Sequence, residues 1–212
     1  MSFKNFSPLT DLESLNKTLD TYGVAVLHNV FSNEECEFVK SKTFEYLLNK
    51  HNIKDSDDYL KLYPTRGGII NAYGISLIKE ILDMKTDERV ENAFKTIWNN
   101  EEVTMSLDAV NIGPPIIKNK FLKRIYENPF DFHVDQSSEK KEKCCVQAFI
   151  NLEDAEDGDG CLSVLKNSHN FFNTFFSEFN KEASYDFYRL KQDEYDWFIN
   201  KGCKIFSKKY IC

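Results

Sequence analysis

The stretch PFDFHVDQSS, residues 129–138, decides how this sequence is interpreted. Its apolar residues Phe132 and Val134 alternate with His133 and Asp135, and the side chains of a β-strand point to opposite faces with a period of two. His133 and Asp135 are therefore predicted to share one face of a strand. An imidazole and a carboxylate placed in this way are two thirds of a 2-His-1-carboxylate site, which holds non-haem Fe(II) and leaves coordination positions open.

The composition predicts one globular domain over residues 1–212. The chain has a mass of 24.8 kDa, and 42% of its residues, including 18 Phe, are hydrophobic, which is enough to fill a sizeable core. Its net charge of -7 and pI near 5.2 argue against a nucleic-acid-binding surface, because binding to phosphates needs clustered Lys and Arg. No nucleic-acid partner is expected.

The sequence predicts an intracellular, cytoplasmic protein without a membrane partner. It lacks a secretory signal at the start, and it lacks an apolar run of the ~20 residues that span a bilayer.

No cysteine pair has CxxC spacing, so reduced thiols are expected. Cys144 and Cys145 are adjacent in a predicted strand, and we expect them to be buried packing residues on its two sides. The six cysteines are Cys36, Cys144, Cys145, Cys161, Cys203 and Cys212.

The N-terminal half has a predominantly helical pattern. A first helix is predicted around Leu15, followed by a strand over residues 23–30. Ser32 and Glu35 have the spacing of a capping box, which predicts the start of a second helix. The predicted apolar positions of this second helix are Cys36, Val39, Phe44, Leu47 and Leu48. Further helices are predicted over residues 76–82 and 86–100.

The C-terminal half has the pattern of short strands. Strands are predicted within residues 101–115, 131–138, 143–154 and 160–169, with polar, Gly-containing turns after several of them. Together the two halves predict an α+β fold, in which N-terminal helices pack on a double-stranded β-helix, the jelly roll of cupin-like proteins. After His169 the sequence is aromatic and acidic, and two helical pieces are predicted between strands.

Two segments carry a resemblance to a known family. FHVDQS, followed by VQAFINLEDAEDGDGCLSVLKNSHN, resembles the phytanoyl-CoA dioxygenase (PhyH-like) family of Fe(II)/2-oxoglutarate-dependent oxygenases. Residues 19–40 are similar to the opening strand and helix of that family, so the resemblance spans most of residues 12–170. Its most specific part is the HxD pair together with DGDGCLSVLKNSH.

The resemblance implies a site and a reaction. His133 and Asp135 would bind Fe(II), and 2-oxoglutarate and O2 would be consumed while a small-molecule substrate, which the family name does not specify, is hydroxylated. Phe149 matches an aromatic position beside 2-oxoglutarate, although a core role fits it equally well. Residues 170–203 would form a lid or substrate wall. Asp131 shares the predicted strand face; a hydrogen bond to a ligand is one reading, and an exposed carboxylate is the reading we favour.

The sequence departs from the family after His169. The family places a third iron ligand, a histidine, on a later strand, followed by a basic residue that pairs with 2-oxoglutarate. No histidine follows His169 here, and Arg189, within the insert, is the only later arginine. We expect a C-terminally incomplete domain; a natural truncation without catalysis and recruitment of His169 as a ligand are the alternatives. For His169 itself, a structural role is expected.

Two other functions are compatible with these residues. One is a non-enzymatic jelly-roll module that retains the HxD pair as a remnant. The other is a metal-dependent cupin that uses His133, Asp135 and His169 without 2-oxoglutarate. Substituting His169 would abolish metal binding only in the second case.

Overall fold

The structure is a computed structural model that describes residues 9–54, 58–62, 68–112, 132–154, 162–183 and 185–207. The α-helices in these ranges are α1 (Leu15–Tyr22), α2 (Asn33–His51), α3 (Lys79–Lys85), α4 (Glu88–Trp98), α5 (Phe172–Glu178) and α6 (Gln192–Asn200). Short 3₁₀ helices lie at Asp58–Leu62, Ile75–Leu77 and Ser168–Phe171. None of the helices described has the length and apolar character needed to cross a bilayer.

The described strands pair two by two. They are β1 (Leu9–Thr10), β2 (Val26–Leu27), β3 (Ile69–Ile70), β4 (Val110–Asn111), β5 (His133–Val134), β6 (Ser163–Lys166), β7 (Tyr188–Arg189) and β8 (Lys204–Ser207). The β1/β2 pair is parallel, whereas β3/β4, β5/β7 and β6/β8 are antiparallel. These four pairs do not test the predicted jelly roll, which stays a prediction.

The start of α2 is as the sequence predicts. The Ser32 hydroxyl accepts a hydrogen bond from the Glu35 backbone N–H at 3.3 Å, and the Glu35 carboxylate accepts one from the Ser32 backbone N–H at 2.7 Å.

The predicted apolar face of α2 is only partly right. The buried stripe follows Cys36, Val39, Thr43 and Leu47, whereas Phe44 and Leu48 are exposed. Each lies one position beyond a buried residue, which turns its side chain about 100° away from the core.

Several predicted strands are much shorter than expected, and one is absent. Residues 23–30 contribute only β2, and the described part of residues 101–115 contributes only β4. Residues 143–154 form no strand, so the expectation of a strand with Cys144 and Cys145 buried on its two sides is wrong; both cysteines are exposed. Apolar alternation is a local signal, but a strand also needs a partner to satisfy its backbone groups.

The segment after His169 builds its own core. The two predicted helical pieces are present as α5 and α6, and they lie in sequence between the paired strands β6 and β8. Their aromatic side chains pack as the sequence predicts, with Phe175 and Phe198 buried among neighbouring rings. Phe132 and Val134 pack against this cluster. The core of the insert therefore supports the strand that carries His133.

Candidate functional site

The strand ladder formed by β5 and β7 organises the candidate site. His133 lies opposite Arg189, and Val134 lies opposite Tyr188. Directly opposite residues of an antiparallel pair project to the same face, with Cβ atoms about 4.5–5.5 Å apart. The Val134/Tyr188 pair packs on the buried aromatic cluster, so the His133/Arg189 pair lies on the outer face.

His133 and Asp135 are close together on this outer face. Nε2 of His133 lies 3.5 Å from Oδ1 of Asp135, and the side chains are 37% and 36% exposed. Metal–nitrogen and metal–oxygen bonds are each about 2.1 Å, so both atoms can reach one ion. The donor set, one imidazole and one carboxylate, fits Fe(II). Among the described residues, no group of three His, Cys, Asp or Glu side chains is placed to hold a metal ion, so this pair is incomplete by itself.

Phe187 adds an aromatic wall. Its ring lies over the His133 imidazole with the two centroids 5.0 Å apart and the planes inclined by 34°. Phe187 stands two positions before Arg189, so the two belong to the same face of β7 and its extension. The outer face of the ladder therefore combines an imidazole, a carboxylate, a guanidinium and an aromatic ring.

A polar clamp holds the turn after Asp135 against the segment that leads into β7. The Asp186 carboxylate accepts hydrogen bonds from the Ser137 backbone N–H at 2.8 Å and from the Lys140 ammonium at 2.7 and 2.8 Å. The Ser137 hydroxyl donates to the Ala183 carbonyl at 2.8 Å. The Lys140 hydrogen bond, with help from the Ser137 N–H, lowers the pKa of Asp186 below its ordinary value. These bonds set the position of Phe187, the next residue.

Behind the ladder, a buried carboxylate fixes β7. Glu194 is 1% exposed and accepts hydrogen bonds from the Tyr188 hydroxyl and from the Lys191 backbone N–H, both at 2.7 Å. Burial, followed by the hydrogen bond to Glu194, raises the pKa of Tyr188 well above its ordinary value. Tyr188 is thereby held as a neutral hydrogen-bond donor, and its strand neighbour Arg189 is directed outward.

A small cavity of about 110 Å³ lies beside His133. Its wall is mainly apolar, and two hydroxyl-bearing residues, Ser163 and Ser168, contribute to it. The apolar lining residues are Phe132, Val134, Val164, Leu165, Leu190 and Phe198. The cavity has room for a compact group rather than for a whole substrate.

The structure places the other predicted residues away from this pair or outside its description. His169 packs against the end of α1, where its Nε2 lies 3.0 Å from the Asp20 carbonyl oxygen and its ring lies against Gly23. These contacts agree with the structural role expected of His169. Phe149 is 61% exposed and does not line the cavity, so its contact with 2-oxoglutarate stays a prediction. Asp131 lies outside the described residues.

The chain is distantly similar in sequence to a fungal protein. The chain is 26% identical over 194 residues to Ava biosynthesis cluster protein O of Aspergillus versicolor. The match covers 85% of this chain and 61% of that protein, so the chain spans about three fifths of its relative's length. No protein-family profile matches the sequence, and no solved structure matches it. The resemblance to phytanoyl-CoA dioxygenases therefore stays a prediction.

Sequence reasoning missed the residues that face His133 across the ladder. The sequence predicts Arg189 within a helical insert and predicts only a packing role for Phe187, whereas Phe187 lies over the His133 ring. The available signal is the alternation in DFYRL, residues 186–190, where Tyr188 and Leu190 turn inward and Phe187 and Arg189 turn outward. A strand of two residues between helices is too short for this signal to stand out.

Proposed function

We propose that this chain belongs to a non-haem Fe(II)/2-oxoglutarate-dependent dioxygenase that hydroxylates a small molecule. The observation that carries the proposal is the 3.5 Å approach of His133 Nε2 and Asp135 Oδ1 on one open strand face. The relative's name, which places it with a biosynthesis cluster, supports a small-molecule substrate for this chain.

The residues of the ladder have complementary roles in this proposal. A neutral His133 imidazole and an anionic Asp135 carboxylate would hold Fe(II). When bound, the iron would supply the O2 chemistry of the reaction. Phe187 would keep water from one side of the imidazole, and the apolar cavity beside His133 would accept a compact part of the substrate.

Arg189 is the group we assign to the carboxylate of 2-oxoglutarate. A guanidinium presents its N–H donors as a planar fork that matches a carboxylate in a bidentate way. The strand register places Arg189 directly opposite His133, at the distance of a cross-strand neighbour. It would take the place of the basic residue that the family carries on a later strand.

The described residues include all four histidines of the sequence, and no group of three metal-ligating side chains forms among them, so only two protein ligands are proposed. His169 is the alternative among these histidines, but its Nε2 is already within hydrogen-bond distance of the Asp20 carbonyl. A cupin that uses His169 as a ligand would have to release this contact. We therefore favour the two-ligand assignment of His133 and Asp135 for the described part of the chain.

An anaerobic titration with Fe(II) and 2-oxoglutarate tests the proposal. We expect a weak visible charge-transfer band, strengthened by added imidazole, which can act as the missing third ligand. His133→Ala should remove the band, whereas His28→Ala, the same change at an exposed histidine elsewhere, should leave it intact. If no band forms with or without imidazole, the non-catalytic binding module is the better function.

A further inference from the structure

Two adjacent exposed thiols form a cluster that the proposed oxygenase function does not use. Cys144 and Cys145 are both exposed, in a segment without regular secondary structure. The other two described cysteines, Cys36 and Cys203, are only 3% and 2% exposed. The described thiols therefore fall into an accessible pair and a buried pair; Cys161 and Cys212 lie outside the described residues.

A cation accompanies the exposed pair. The pKa of Lys140 is raised, first by its hydrogen bond to Asp186, then by electrostatic interaction with Asp186 and, to a smaller extent, with Cys144 and Cys145. The segment is also attached to the protein: the Lys143 ammonium lies 3.8 Å from Oδ1 of Asp20. The thiolate is the nucleophilic form of cysteine, and an exposed thiol can present it to a small disulfide.

The spacing of the pair makes any bond between its two sulfurs easy to reverse. Neighbouring Cα atoms are about 3.8 Å apart, whereas the Cα atoms of most disulfides are about 4.4–6.8 Å apart. A disulfide between adjacent cysteines is strained for this reason. Strained and exposed disulfides have the higher reduction potentials that are typical of labile and regulatory bonds.

We propose that Cys144 and Cys145 are a reversible modification site that exchanges with a small disulfide of the glutathione class. One thiolate attacks a sulfur of R–S–S–R, forming a protein–S–S–R bond and releasing R–S⁻. The neighbouring thiolate attacks the protein sulfur of this mixed disulfide, forming the Cys144–Cys145 bond and releasing a second R–S⁻. The cysteine pair loses two electrons and two protons, and the small disulfide is reduced to two thiols.

Intact-protein mass spectrometry with glutathione disulfide tests this inference. The mass of the intact protein reports the number of groups added, and tryptic peptides report which cysteine carries them. Cys161 lies on the same tryptic peptide as the pair, between Lys143 and Lys166, and Cys212 is a further thiol outside the described residues. The chain used should therefore carry Cys161→Ser and Cys212→Ser. In a large excess of glutathione disulfide over glutathione, which drives formation of a strained bond, we expect the pair to react at least about tenfold faster than Cys36 and Cys203 and to end with the loss of two hydrogens. Cys145→Ser should instead accumulate one glutathionyl group on Cys144.

Two further variants separate the chemistry from simple exposure. Lys140→Gln should slow the first step, because it removes a positive charge that interacts electrostatically with both thiols. Asp186→Asn breaks the same ion pair but keeps the Lys140 charge, and it should not slow the reaction. The inference is overturned if the pair reacts no faster than the buried cysteines, if the mixed disulfide persists with both cysteines present, or if the two variants behave alike. None of these results depends on iron binding, so they do not test the oxygenase proposal.

Discussion

At the scale of single residues, one buried carboxylate stabilises the strand opposite His133. Glu194 accepts hydrogen bonds from Tyr188 and from the Lys191 backbone. Removing this acceptor leaves buried donors unsatisfied, at a cost of about 1–3 kcal/mol. We expect Glu194→Ala to lower the free energy of unfolding by about 2 kcal/mol in urea titrations. Asp196→Ala, at an exposed position of the same helix, should change it by less than about 0.5 kcal/mol. Equal losses would contradict the stabilising role of Glu194.

A substitution at Gly23 tests whether His169 has a structural role in packing against the end of α1. The glycine ends α1 with φ of 72°, and a Cβ at this position would overlap Nδ1 of His169. Gly202 has φ of 88° with nothing within 4 Å, so Gly202→Ala measures the backbone cost alone, about 1 kcal/mol. We expect Gly23→Ala to lower the free energy of unfolding by more than this amount.

The control for this prediction is a change at the neighbouring ring. Adding His169→Ala to Gly23→Ala removes the overlap, so the extra cost relative to Gly202→Ala should disappear. The measurement is chemical denaturation of the four variants Gly23→Ala, Gly202→Ala, His169→Ala and the Gly23→Ala/His169→Ala double variant under one set of conditions. If Gly23→Ala costs the same as Gly202→Ala when His169 is present, the imidazole is not packed against this helix end.

At the scale of elements, Arg89 joins the N-termini of α2 and α4. Its guanidinium donates to Glu35 at 2.8 Å, to Asp87 at 2.7 Å and to the Val30 carbonyl at 2.9 Å. Asp87 is also the N-cap of α4, where its carboxylate accepts from the Arg89 backbone N–H. The Arg89 side chain lowers the pKa of Asp87 to about 2. One arginine thus connects two helix starts that the sequence predicts separately.

This connection predicts a dependence of stability on pH. Because the pKa of Asp87 is lowered in the folded state, its contribution is fully present above its unfolded pKa of about 4 and is lost as the pH falls towards 2. We expect a loss of about 1 kcal/mol from this group, after allowing for solvent screening. Arg89→Gln should reduce the loss in acid unfolding curves, whereas Lys79→Gln, which removes an exposed ion pair with Asp83, should leave the curve unchanged.

Arg189 lies on β7, whereas the proposed iron ligand His133 lies on β5. A substitution of Arg189 should therefore affect 2-oxoglutarate binding separately from Fe(II) binding. Losing a charge-assisted bidentate contact costs about 1.5–3 kcal/mol, a change in affinity of about tenfold or more. We expect Arg189→Gln to raise the Kd for 2-oxoglutarate by at least about tenfold while Fe(II) affinity changes little. Lys50→Gln, which removes a cation at the end of α2, should leave both affinities unchanged. Equal losses for the two ligands in Arg189→Gln would contradict a specific carboxylate contact.

Elements that depend on local interactions are those that the sequence predicts well. The capping box of Ser32 and Glu35 involves residues three positions apart, and α4 has clear helical periodicity, so both are predicted. The HxD pair also follows from local alternation. The partner strand of His133 lies more than fifty residues later in the sequence, and that pairing leaves no local pattern. The same limit explains why residues 143–154, despite their alternation, form no strand.

At the scale of the whole molecule, the described residues contain two larger apolar cores. The first includes Leu47 and Ile75 in the N-terminal part, and the second surrounds Phe175 in the C-terminal part. A backbone hydrogen bond from the Asn167 N–H, just after β6, to the Tyr22 carbonyl at the end of α1 spans 3.0 Å and joins the C-terminal part of the chain to the N-terminal part. Because β5 packs on the second core, the candidate site depends on that core rather than on the predicted N-terminal helices.

Binding of iron at this site should therefore raise the stability of the whole chain. A ligand that binds only the folded state, at a free concentration of 100 times its Kd, adds about 2.7 kcal/mol. We expect Fe(II) with 2-oxoglutarate to raise the Tm in anaerobic thermal unfolding, and a chelator to reverse the increase. His133→Ala, at a half-exposed position, should change metal-free stability by less than about 1 kcal/mol and abolish the increase.

Phe175→Leu should lower the stability of the metal-free chain but keep the increase in Tm on ligand binding, which is the opposite of the result expected for His133→Ala. Phe175 is 1% exposed and contacts several aromatic rings of the second core, so the substitution should cost about 1–3 kcal/mol without ligand. It leaves the ladder residues in place, and the increase in Tm on binding should persist from the lower starting value. If Phe175→Leu abolished the increase while His133→Ala retained it, the ligand would be bound within the aromatic core and not by the HxD pair.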